Sequence, residues 1–215
     1  MAHDDDSHTR TTREPHEVDV GGMTRALSGF LEAAGLPEDA AGEAPERTAL
    51  AWRDHLLAGY ALDPVAVLQP AWPDRAGQLV TMSRVPFVSV CAHHLLPFFG
   101  RAHVAYLPGD KLTGLSRIED LVHCLSRRLQ VQERLGEEIA EALHEGVEAR
   151  GAACVLEAEH LCVFARGKAR GTITRTFAFT GELAEDATLQ DRCLAWLLAD
   201  TPGGRPAARE SGVSA

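Results

Sequence analysis

The sequence predicts an α+β fold: an antiparallel sheet with helices on one face. Three observations predict it. The pattern runs helices, strands, long helices, strands, helix, without a regular strand–helix alternation. Within 116–149, Val131, Leu135, Ile139, Leu143 and Val147 recur at helical spacing. Short β-like runs on either side of that stretch are bounded by Pro, Gly and Asp. A chain of 215 residues suits one domain and can bury a sizeable core.

The elements follow in order. Residues 1–22 carry six acids, two Arg and three His with few apolar groups, and read as a flexible tail ending in Gly21-Gly22. His3, His8 and His16 in it read as solvated. Residues 23–34 read as a helix stopped near Gly35 and Pro37, and Pro45 suits the first turn of a second helix over 46–58, ended by Gly59. Residues 62–76 read as loop, and 78–83, 87–90 and 102–107 as strands, the last closed by Pro108-Gly109-Asp110. In the long helical stretch Ile118, Leu121, Val122 and Leu125 form a first stripe, with a bend expected near 127–131. Residues 152–158, 161–165 and 172–179 read as strands, 184–198 as a closing amphipathic helix, and 201–215 as a second tail. The domain therefore spans 23–200.

Composition narrows the function. No run of 18 apolar residues exists, so no membrane span is expected, and the polar start Met1-Ala2-His3-Asp4 carries no secretory signal pattern. Five cysteines, an odd count, argue against a disulfide framework and point to a cytoplasmic protein. A net charge of −10 argues against a nucleic-acid binder but leaves room for a local anion site. Only Lys111 and Lys168 are lysines, so anion contacts would be mostly guanidinium.

The motif Cys91-Ala-His-His94 leaves a β-like run, and a Cys and a His three apart on such a turn can face one cation. His160-Leu-Cys162, read as strand, would project His160 and Cys162 to one face. Cys91, His94 and Cys162 then form a Cys₂His set with a fourth position open, the pattern of catalytic zinc. His93 and His160 would stand beside it as proton carriers. The same spacing also fits Cys91 and Cys162 as buried small apolar groups with satisfied histidines, and spacing leaves both readings open. Cys124, Cys154 and Cys193 fall within apolar patterns and read as core.

Ser116 with Glu119 three residues on is a capping-box pattern at the start of the long helix. A helix N-terminus also suits an anion, and Arg117 in the first turn would reinforce it. Arg166-Gly-Lys168-Ala-Arg170 suits phosphate or a solvated basic turn. Gln132 and Glu133 lie off the apolar stripe, where side chains are usually solvated; together they can donate to and accept from a purine edge.

Taken together, these motifs resemble the GTP cyclohydrolase I family. The carrying segments are Cys91-Ala-His-His-Leu-Leu-Pro-Phe98, Ala105-Tyr-Leu-Pro108, Gly114-Leu-Ser116, Arg128-Leu-Gln-Val-Gln-Glu-Arg-Leu135, and Glu157-Ala-Glu-His-Leu-Cys162 with Arg166-Gly167; Pro45-Glu-Arg47 also fits. The likeness runs from about residue 43 to 199. It implies the tunnelling fold, an antiparallel sheet with two long antiparallel helices on one face plus N-terminal helices. It also implies a homodecamer of two face-to-face pentamers, with pockets at subunit boundaries. By resemblance Cys91, His94 and Cys162 hold Zn²⁺, His93 and His160 handle protons, and Gln132 and Glu133 anchor guanine. Ser116, Arg117, Arg166, Arg47 and Lys168 map around the ribose and triphosphate, with Ser116 also in the catalytic set. The implied reaction is attack of water on C8 of GTP, imidazole opening and formate release. Ribose opening, an Amadori rearrangement and reclosure then give 7,8-dihydroneopterin triphosphate, a precursor in folate synthesis.

The chain departs from that pattern in places. Ala92 stands where the family usually has Glu, and Asp120 stands where it carries an Arg facing triphosphate. Arg170 is shifted by one position, and Ile173, Phe177 and Phe179 replace a run rich in Ser and Thr. A carboxylate at 120 would repel phosphate. A paralogue acting on a guanine nucleotide with fewer phosphates is therefore a second reading, and a non-catalytic zinc- or nucleotide-binding homologue a third.

Overall fold

The computed structural model describes residues 18–37, 41–73, 77–167 and 171–199. The expected tails over 1–17 and 201–215, with His3, His8 and His16, and the basic residues Lys168 and Arg170 lie outside the described residues. The chain divides into two compact units between Leu50 and Ala51.

In the first unit α1 spans Val20–Ala33. It starts before Met23 because Asp19 acts as N-cap, its Oδ1 accepting from Gly22 N at 2.7 Å. Gly21 and Gly22 therefore sit in the first turn rather than at the end of a tail. Helix α2, Ala44–Ala51, has Pro45 in its first turn as expected. It is shorter than 46–58: the next residues, Trp52–Leu56, wind as a π-helical turn, followed by a 3₁₀ turn over Ala58–Ala61. In the 62–76 stretch a 3₁₀ turn forms at Ala66–Leu68, and β1, Trp72–Pro73, pairs with β4, Lys111–Leu112.

The second unit is built on a five-stranded sheet. Its strands are β2 (Val80–Cys91), β3 (Pro97–Leu107), β5 (Leu129–Gln130), β6 (Gly151–His160) and β7 (Thr174–Gly181), in the order β5-β2-β3-β6-β7. All neighbours are antiparallel except β2 and β5. The two runs expected at 78–83 and 87–90 are one strand, bent by a register shift between Met82 and Val85 where Arg84 takes φ 67°. Pro86 does not break it, because β5 pairs only with Val90 and Cys91 and leaves the β2 edge open at Pro86. There the Pro86 carbonyl accepts from His123 Nε2 at 3.1 Å.

Helices α3 (Leu115–Ser126) and α4 (Gln132–Gly146) cover one face, with the expected break between them at 127–131. Both apolar stripes are buried there: Ile118, Leu121, Val122 and Leu125, then Leu135, Ile139, Leu143 and Val147. They pack on Phe98, Ala102, Val104 and Tyr106 of β3 and on Cys154 and Leu156 of β6. The expected 161–165 strand is instead a one-turn helix, α5 (Leu161–Phe164).

The 184–198 helix is two pieces, α6 (Glu182–Glu185) and α7 (Ala187–Leu198). Asp186 separates them by capping α7, its Oδ1 accepting from Thr188 N at 2.8 Å and Leu189 N at 3.1 Å. Leu183, Cys193 and Leu197 cover Ala105, Ala153 and Val155. Those residues alternate with the inner ones along β3 and β6, so α7 lies on the opposite face of the sheet. The sequence reading placed helices on one face only.

That cover buries His103, which points to the α7 side and is 0% exposed. Neither ring nitrogen has a hydrogen-bond partner, and the Glu157 carboxylate is 3.6 Å away. Burial holds the imidazole below its usual pKa, with Glu157 opposing. The unfolded chain then binds a proton that the folded chain refuses. Stability is full above about pH 6.5 and falls as pH drops below it, by up to about 1.4 kcal/mol per pH unit from this group. In urea titrations from pH 7.5 to 5, the stability of wild type measured relative to His103→Leu should fall toward low pH. A difference independent of pH would contradict this.

Candidate active site

Strand β2 ends at Cys91, and the turn to β3 folds tightly back. Cys91 N donates to Leu96 O at 2.9 Å, and Leu95 N donates to Cys91 O at 2.8 Å, with Leu95 at φ 54°. The turn swings His94 over its own root, so Cys91 Sγ lies 3.6 Å from His94 Nδ1. Ala92 N donates to Gln130 O at 2.9 Å, which ties the turn to β5. Strand β6 arrives beside β3 with His160 opposite Phe98, and the following turn of α5 carries Cys162.

The ligand atoms of Cys91, His94 and Cys162 all lie within 4.8 Å of one another. A tetrahedral ion with typical Zn–S and Zn–N bonds sets its ligands about 3.6–3.8 Å apart, and the Cys91–His94 separation already matches. Two thiols and one imidazole are a donor set suited to zinc, so the residues present fit the ion. Both cysteines are buried and His94 is exposed, which leaves one side accessible. Burial first, then the Cys91 thiol beside it, pushes the Cys162 thiol up, with Arg166 opposing. A cation between the two sulfurs reverses that balance.

The strand argument for Cys162 is corrected: it reaches the cluster on a helical turn, not as the face-mate of His160. His160 ends β6 and turns elsewhere. Its ring stacks on Phe98 with centroids 4.9 Å apart and planes 5° from parallel. Its Nε2 is 2.7 Å from Gln132 Oε1. Burial lowers the His160 pKa, and the Glu133 carboxylate opposes the shift. His160 also lines a pocket of about 220 Å³ with Phe99, Glu159, Phe164 and Thr174.

Gln132 is not on a solvated face. It is 2% exposed at the start of α4, while Glu133 beside it is exposed. Strand β7 closes over Gln132, whose Nε2 donates to Leu156 O, Thr174 O and Thr176 Oγ1 at 3.1, 3.0 and 3.2 Å. His93 is exposed, its ring edge-on to His94 with centroids 6.2 Å apart.

The capping box at Ser116 does not form. Gly114 is the N-cap of α3 without a side-chain cap bond, and Ser116 stands exposed in the first turn. Arg117 Nη1 donates to Asp120 Oδ2 at 3.3 Å, with both side chains about half exposed. Arg166 is exposed, and its Nε donates to Cys162 O at 2.7 Å, bracing the α5 turn. Arg47 pairs with Glu43 inside the first unit, and Lys168 lies outside the described residues. The structure thus gathers the three candidate ligands, and separately His160 with Gln132. Sequence reasoning missed Phe98, Thr174 and Thr176 as partners of that pair; their roles follow from strand register, which leaves no local signal.

Comparison with known proteins bears on this site. A family model described as GTP cyclohydrolase I matches residues 23–197. The GTP cyclohydrolase 1 of Corynebacterium glutamicum (strain R) is 42% identical over 176 residues, 80% of this chain and 89% of that protein. That of Chlorobaculum tepidum is 39% identical over 182 residues, 83% of this chain and 79% of that protein. That of Campylobacter lari is 49% identical over 131 residues, 60% of this chain and 68% of that protein. Among solved structures, the apo form of the archaeosine synthase QueF-Like aligns with a TM-score of 0.42 at 15% identity, covering 50% of this chain and 97% of that one.

Proposed function

Because this chain belongs to the GTP cyclohydrolase I family, we propose that it opens the imidazole ring of GTP at C8, releases formate and forms 7,8-dihydroneopterin triphosphate. It is an enzyme of the GTP cyclohydrolase I type, a hydrolase of folate biosynthesis. The observation that carries the proposal is the convergence of Cys91, His94 and Cys162 within 4.8 Å, on a chain with His160 two residues before Cys162.

Those three residues would hold Zn²⁺, which when bound supplies Lewis acidity and a water acidified toward neutral pH. The chain's own groups do the rest. His160, kept neutral by burial, and the exposed His93 carry protons to and from the purine. Glu133, exposed at the head of α4, accepts from the guanine N–H groups. Ser116 and Arg117 in the first turn of α3, with Arg166, hold the ribose and triphosphate. The active form is a homodecamer of two pentamers in the cytoplasm. The outer edge of β7, which no strand among the described residues pairs, and exposed Val88, Phe99 and Phe177 support assembly. Five free, buried cysteines suit a reducing compartment. No helix among the described residues is long and apolar enough to cross a membrane.

A second reading rests on the Arg117–Asp120 pair. A guanidinium engaged by a carboxylate at the helix N-terminus is a weaker phosphate ligand, which favours a guanine nucleotide with fewer phosphates. The zinc-loaded protein should be incubated with GTP, GDP, GMP and dGTP, and formate and pterin fluorescence measured. GTP should give both products. Formate from GMP but not GTP would reject the first reading in favour of the second. Asp120→Arg should lower the KM for GTP about three- to tenfold, since one carboxylate leaves and one guanidinium arrives. An unchanged KM would remove Asp120 from the phosphate site.

A further inference from the structure

Gln132 is held so that its two ends can be told apart. Its Nε2 position faces the carbonyl oxygens of Leu156 and Thr174 at 3.1 and 3.0 Å. Carbonyl oxygens only accept, so this end must be the NH₂ group and the other end the oxygen. That oxygen also only accepts, and it lies 2.7 Å from His160 Nε2. The ring nitrogen facing it must therefore carry the hydrogen. A neutral imidazole has one N–H, so Nδ1 is left with the lone pair. Phe98, stacked flat on the ring, fixes its plane while the Gln132 bond fixes its rotation.

We propose that Gln132 is a positioning residue that locks His160 as the Nε2–H tautomer and leaves Nδ1 as the lone-pair nitrogen for the substrate. The catalytic part of this rests on the cyclohydrolase reading; the tautomer does not. Gln132 then serves the purine through His160 and not by direct contact, because its amide is already committed to Leu156, Thr174, Thr176 and His160. Glu133, exposed and next in sequence, is the member of the pair left to meet the base.

The test uses zinc-loaded full-length protein labelled with ¹⁵N-histidine. Solid-state ¹⁵N spectra at about pH 8, where unperturbed imidazole is neutral, distinguish the two tautomers. Subtracting the His160→Gln spectrum assigns the signal. The expected result is Nε2–H in wild type and a mixture in Gln132→Met, which keeps bulk but cannot accept. Gln132→Met should also lower kcat for GTP by about 30-fold, a part of the roughly 10²–10⁴-fold that general acid–base catalysis contributes, with KM changed less than about twofold. An Nδ1–H tautomer in wild type overturns the proposal. So does a Gln132→Met enzyme whose KM rises at unchanged kcat, which is the signature of a direct purine contact, or one with tautomer and kcat both unchanged. Should Gln132→Met fail to fold, the wild-type tautomer alone decides. An Nε2–H tautomer in a protein that releases no formate from any guanine nucleotide would reject the cyclohydrolase reading and leave the Gln132–His160 lock standing.

Discussion

Cys162→Ala is expected to lower formate release from GTP by at least about a thousandfold, equivalent to about 4 kcal/mol of transition-state stabilisation. The site offers three candidate protein ligands and no spare donor among the described residues. Two candidate ligands, Cys91 and His94, lie three apart on one turn, and Cys162 supplies the clamp from the helical turn of α5. Removing it leaves a two-point site that loses zinc on dialysis. The fold should survive, because Cys162 sits in the single turn of α5 and that turn is braced through the Cys162 backbone carbonyl by Arg166. Metal content measured by mass spectrometry, beside a far-ultraviolet circular dichroism spectrum, checks both parts. Full zinc occupancy with normal turnover in Cys162→Ala would remove this residue from the site.

His160→Ala should lower kcat by about 10²–10⁴-fold with zinc retained, the range of a lost proton carrier. Metal content separates this from the first case: His160 bonds Gln132 and stacks on Phe98, outside the ligand cluster. The variant leaves Gln132 Oε1 without its partner in a buried position, so some stability is lost too, about 1–3 kcal/mol. Loss of zinc together with loss of rate would instead make His160 a support of the metal site.

How far the sequence reached depended on the range of the interactions involved. The stripes of α3 and α4 were legible because helical periodicity is local and both faces press on one sheet. Cys91 and His94 were legible for the same reason, being three apart on one turn. Cys162 was identified through a strand face that does not exist; the β6 pairing with β3 brings it in regardless. Gln132 read as a solvated helix residue because the closure of β7 over the start of α4 is tertiary. His103 drew no attention, since the face it occupies is buried only once α7 folds across the sheet. Ser116 matched a capping box whose geometry fails because α3 starts two residues earlier, after Gly114.

The most direct test of the account is a single-turnover assay of the purified zinc-loaded protein with GTP labelled at C8. The account predicts one labelled formate released per GTP consumed, followed by pterin fluorescence, and no formate after zinc is chelated or in Cys162→Ala. Intact GTP after incubation with protein that holds one zinc per chain would contradict it.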